Sequence, residues 1–115
     1  MTAKRIILEL GSGNDLHGGD YTKAAIRAVQ DALHHSSLAF IRALKLDARQ
    51  MQVEVTIGVQ KPERVDTAAV KASLPHGTVT VKAVQGGLDV PDDSGTDPAV
   101  IATAAVAVRF PAPGK

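Results

Sequence analysis

The run VIATAAVAVRF at residues 100–110 constrains this chain more than any other segment. Read as a strand, it places Val100, Ala102, Ala104, Val106 and Val108 on one face and Ile101, Thr103, Ala105 and Ala107 on the other. A sheet wetted on one side shows a polar face at every second position, and here both faces are apolar or small. Something must therefore cover each side of this strand.

The rest of the chain supplies one cover. Residues 4–10 read as a strand, with Ile6, Leu8 and Leu10 on one face and Arg5, Ile7 and Glu9 on the other. A helix follows, capped by Asp20 through the backbone N–H of Thr22 or Lys23. Its buried stripe is Ala25, Ala28, Val29, Ala32 and Leu33, and Arg27 with Asp31 forms a favourable pair one turn apart. The helix pauses at His34-His35-Ser36-Ser37 and resumes through Leu38 to Leu46, as one bent helix or two. Residues 51–59 alternate cleanly as a half-buried strand; Asp66 caps a short helix ended by Pro75 and Gly77; residues 78–85 form a third strand. The segment GGLDVPDDSGTDP then reads as an irregular loop.

The order β-α-β-α-β-β predicts an α/β (α+β) domain spanning residues 1–115, with a frayed tail at 111–115. A single sheet carries helices on one face, and its other face is covered by a homo-oligomer. Aromatics make up 3% of the chain (Tyr21, Phe40, Phe110), so the core must be built from Val, Ile, Leu and Ala. There is no cysteine, which excludes disulfides, thiolate metal sites and cysteine nucleophiles. The net charge is +1, and the basic residues are scattered without interleaved aromatics, the reverse of a nucleic-acid footprint. No apolar run approaches a membrane span or a signal segment, so the expected location is cytoplasmic and no membrane partner is expected.

The stretch LELGSGNDLHGGDYTKAAIRAVQDALHHSSL, with PERVD, LPHG, QGGLDVP and IATAAVAV further on, resembles a family of short conserved hypothetical proteins named after a Listeria member. That family carries over no activity. The element order is also similar to the unit of chorismate-mutase-like trimers and to the repeat of the cyanuric acid and barbiturate ring-opening hydrolases. This likeness implies units packed about a three-fold axis, hence a trimer or higher oligomer, with polar sites between them. The serine motif of those hydrolases matches no position here.

Two glycine-rich segments hold the candidate site. In GSGNDLHGGD, Gly11, Gly13, Gly18 and Gly19 allow close approach of a ligand to the backbone, and the following helix aims its first N–H groups at the loop. A tight strand-to-helix turn would use the same glycines. Asp15 next but one to His17 could orient the imidazole as a general base; an Asx-turn beside a solvated His is the plainer reading. Asp20 and Thr22 would contact the ligand. Lys23 is electrostatically out of place at a helix N-terminus, a misfit that an intervening anion would relieve. In the second segment Gly86 and Gly87 would turn N–H groups into a cleft, with Asp89 as an acid/base group and Asp92 and Asp93 as surface charges. No metal site or cofactor is expected: adjacent His34 and His35 diverge by about 100° on a helix. The functional expectation is an enzyme of small-molecule chemistry, hydrolase- or tautomerase-like on a small polar carbonyl compound, at a subunit interface. Its alternative is a non-catalytic metabolite-binding or structural homo-oligomer.

Overall fold

The computed structural model describes residues 4–34, 50–74 and 77–110. In chain order the elements are β1 (Lys4–Asp15), α1 (Tyr21–Leu33), β2 (Gln52–Val59), a 3-10 turn (Pro62–Arg64), α2 (Thr67–Ala72), β3 (Thr78–Gln85), β4 (Leu88–Val90) and β5 (Ala99–Phe110). The expected helix over Leu38–Leu46, with His35, Ser36, Ser37 and Pro75, and the tail at 111–115 lie outside the described residues.

The strands form one mixed, open sheet in the order β1-β5-β2-β3. Only β2 and β3 are parallel, because α2 lies between them as the crossover. β5 is central, antiparallel to β1 on one side and to β2 on the other. The fold is thus the expected mixed α/β sheet with helices on one face. Two boundaries differ from the sequence reading. β1 runs on through Gly11–Asp15, because β5 is long enough to pair with it up to Asp15. The second glycine-rich segment is not wholly irregular: Leu88–Val90 forms β4 and pairs with Ile101, Val100 and Ala99 at the start of β5.

Helix α1 begins where Asp20 accepts the N–H of Lys23 at 3.0 Å, and α2 begins where Asp66 accepts that of Ala69 at 3.1 Å. α1 buries Tyr21, Ala24, Ala25, Ala28, Val29 and Ala32. Its small stripe lets it approach β1 backbone to backbone. A Cβ at Gly11 would strike the backbone of Ala28 and Ala32, and one at Gly13 that of Ala24 and Ala28. The core beneath is aliphatic, with Val29, Val55, Ile57, Val59, Val70, Val100, Val106 and Val108 fully buried. Each contributes roughly 1.5–3 kcal/mol relative to exposure.

Arg27 and Asp31 reach back from α1 to β1. Asp31 accepts the Ser12 N–H at 2.9 Å and Arg27 donates to the Asn14 carbonyl at 2.7 Å. Arg5 and Ile7 flank a register shift in β1, after which Ile7 is buried while Leu8 and Leu10 face outward and are exposed. Among the described residues no helix lies on that outward face.

Candidate functional site

The sequence places its candidates in two segments, and the fold brings parts of both to one end of the sheet, beside the N-terminus of α1. Asp15 ends β1 with its side chain turned inward, and the residue is only 3% exposed. Its carboxylate accepts the Asp20 N–H at 2.9 Å and pairs with Lys23 at 3.6 Å and Arg27 at 3.9 Å. The anion that Lys23 needs at a helix N-terminus is therefore Asp15 itself. A buried carboxylate holding one N–H and two cations fastens α1 to the sheet, and the two cations keep their charged ends in water.

The expected Asp15–His17 pairing is not the one formed. His17 Nδ1 lies 3.0 Å from Asp97 Oδ2, and Asp97 Oδ1 accepts the Gly18 N–H at 2.7 Å. Asp15 is turned under the helix, whereas His17 sits on the exposed loop above it. Those two bonds, the Gly18 N–H first and His17 second, hold the Asp97 carboxyl below the usual carboxylate range. Gly18 and Gly19 adopt φ of 92° and 61°, the left-handed turn that brings the chain from β1 into α1.

Gly11 and Gly13 lie under α1, so the close approach they permit is to a helix rather than to a ligand. Thr22 accepts the Asp66 N–H at 2.8 Å, tying the first turn of α1 to the cap of α2. The expected cleft at Gly86 and Gly87 is also filled. The Gly86 N–H donates to the Val59 carbonyl at 2.9 Å, and both glycine carbonyls accept from Gln60 Nε2 at 3.1 Å. Here the chain steps from β3 across the end of β2 to reach β5. A side chain at Gly87, whose φ is 60°, would strike the Ile101 and Gly58 carbonyls.

Asp89 accepts the hydroxyl of Tyr21, and its other oxygen, Oδ1, is buried with no partner among the described residues. Burial, then the bond to Asp89, pushes the Tyr21 phenol up to about 12. A phenol so held is a hydrogen-bond donor at neutral pH, not a base. The Arg64 guanidinium covers its ring, 5.1 Å from the centroid. In the loop beyond, Asp92 accepts from Ser94 and from the Thr96 N–H, which settles it as a turn-forming residue. His34 is exposed at the C-cap of α1. Among the described residues no three His, Cys, Asp or Glu side chains group as metal ligands do.

The sequence reading missed Tyr21, Arg64 and Asp97. Tyr21 stands 68 residues from Asp89, and His17 stands 80 from Asp97. No local spacing links either pair. For Gly11 and Gly13 a signal was present: Ala24, Ala28 and Ala32 form a stripe of small residues at one-turn spacing, the counterpart of glycines on a facing strand.

These features define a mixed α+β protein that has, among the described residues, two helices on one side of a five-stranded open sheet and a polar cluster at one end. The chain is similar over that whole architecture to an FtsZ-like protein of unknown function from Nostoc punctiforme PCC 73102, seen in a crystal structure. The two share 35% identity and a TM-score of 0.83, over 97% of this chain and 99% of that one. Comparison with curated proteins gives no match. The model of the conserved hypothetical protein family Lin0512 matches residues 5–108, and the chain belongs to that family.

Proposed function

We propose that the chain acts as a structural or ligand-binding homo-oligomer, in which further copies cover the face of the sheet on which no helix lies among the described residues. One observation carries this reading: the face exposes a connected apolar surface. Leu8 and Leu10 stand on β1, Val84 on β3, and Leu88 and Val90 on β4, with Leu10 63% and Leu88 59% exposed. Between them β5 presents Ile101, Thr103, Ala105 and Ala107. A face of this size and character marks an interaction surface more often than a wetted one. Native mass spectrometry tests it, with a multimer as the expected result; a monomer at micromolar concentration overturns it. Ala105→Glu should split the multimer while leaving the circular dichroism of the fold unchanged.

A second reading, hydrolase- or tautomerase-like chemistry on a small polar carbonyl compound, is favoured by the His17–Asp97 pair. A carboxylate on Nδ1 orients an exposed imidazole and fixes its tautomer, as proton transfer requires. The oxyanion role foreseen for the glycines has less support, since the Gly18 and Gly86 N–H groups already donate to Asp97 and Val59. The test is a screen of small esters, lactams and keto acids against wild type and His17→Ala. Turnover that survives in His17→Ala would remove this reading.

A further inference from the structure

Resting on the oligomer reading above, we infer that two copies pair face to face about a two-fold axis running along β5, with Leu10 of each seated in a groove of the other. The groove, of about 540 Å³, lies on that outward face between Leu10 and Val84, over a floor of Thr56, Gly58, Thr103 and Ala105. Its depth comes from that floor. Every outward side chain there is small, and the space a Cβ at Gly58 would take is held by the hydroxyl of Thr103.

The ridge beside the groove fits it. Leu10, Ala105, Thr56 and Lys82 form one row across the sheet, on β1, β5, β2 and β3 in turn. Strands are spaced about 4.8 Å apart, so β1 and β2 stand equally far from β5 on opposite sides. A half-turn about β5 therefore lays Leu10 of one copy over Thr56 of the other, and the reverse contact follows by symmetry. The same half-turn brings Asp31, on the β1 rim of the groove, toward Lys82 on the partner's β3. Opposite charges meet at both ends of the interface, which sets the register. The half-turn overlays three rows of strand, β1, β5 and β2 continued by β4, each about twelve residues long; they present roughly 550 Å² in projection, or roughly 1,100 Å² for the pair, near the lower bound for a specific interface.

The chain has no cysteine, so introduced thiols report without background. Leu10→Cys and Thr56→Cys chains carrying different tags are co-expressed and treated with a short bismaleimide, and native mass spectrometry counts the copies. The expected result is a mass of two copies and a covalent link between the two tagged chains. Ala105→Cys, on the axis, should link to its own copy, whereas Ala68→Cys on α2 should not. A mass of three or more copies, or a dimer in which Leu10→Cys and Thr56→Cys fail to link, overturns the two-fold pairing and leaves the oligomer reading standing. A monomer overturns both.

Discussion

Asp15 and Asp89 flank the same residue: each is the cross-strand partner of Val100, one from β1 and the other from β4. Both carboxylates thus lie beneath the start of α1, two strand spacings apart, and each holds a different group of it. Asp15 takes the Asp20 N–H and Asp89 takes the Tyr21 hydroxyl. The arrangement joins the start of α1 to β1 and to β4.

Replacing Asp15 tests whether that clasp is structural. Asp15→Asn removes the charge facing Lys23 and Arg27, which are half-exposed and recover water, so the loss should be about 1–2 kcal/mol. Urea unfolding reads it. A gain in stability would mark Asp15 as a residue kept for function at the expense of the fold.

Tyr21 is the only tyrosine, so tyrosinate absorbance follows it alone. Its folded value, about 12, lies above the ordinary phenol value of 10.0. Its contribution to stability is therefore complete below pH 10 and is lost as pH rises toward 12. Ionisation should be delayed in the native protein and appear near pH 10 in urea. Tyr21→Phe should leave the Asp89 carboxylate buried without its donor and cost about 1–3 kcal/mol.

The Asp97 contacts respond at the acid end. Its folded value is lowered from 3.8, so the stabilisation is full above that pH and disappears as pH falls through the lower folded value. Protection of the Gly18 amide, taken as its hydrogen exchange relative to the intrinsic rate at each pH, should fall as pH drops below 3.8 in wild type. In Asp97→Ala that protection should be lost at every pH.

Three glycine substitutions separate packing from backbone strain. Gly13→Ala drives a methyl into the α1 backbone and should cost at least about 3 kcal/mol or prevent folding. Gly87→Ala should be as damaging, since it meets the Ile101 carbonyl and starts from a φ of 60°. At Gly95 the φ is 74° but the space is open, so Gly95→Ala should cost only about 1–2 kcal/mol. Thermal melts rank the three.

The sheet's layers were legible because each rests on local periodicity. The alternation from Met51 to Val59, the caps Asp20 and Asp66, and the two-sided β5 all state their environment within a few residues. The polar cluster was legible only in part. Asp15 and His17 were rightly placed at the start of α1, but their partners come from Lys23, Arg27 and Asp97, and the last arrives from the far end of the chain. A glycine carries no side chain to declare its neighbour. Gly11 and Gly13 look the same in sequence whether a ligand or a helix fills the space above them.

The reach of Asp31 and Arg27 to Ser12 and Asn14 has a consequence for how the molecule can go wrong. At Ser12 and Asn14 the outer margin of β1 spends two hydrogen bonds on the chain's own helix, leaving them unavailable to a stranger's strand. Sideways growth into fibrils is thereby discouraged where the chain is glycine-rich and would otherwise lie flat. Loss of Asp31 should show itself first on the shelf, as slow precipitation of a protein that still melts at nearly its usual temperature.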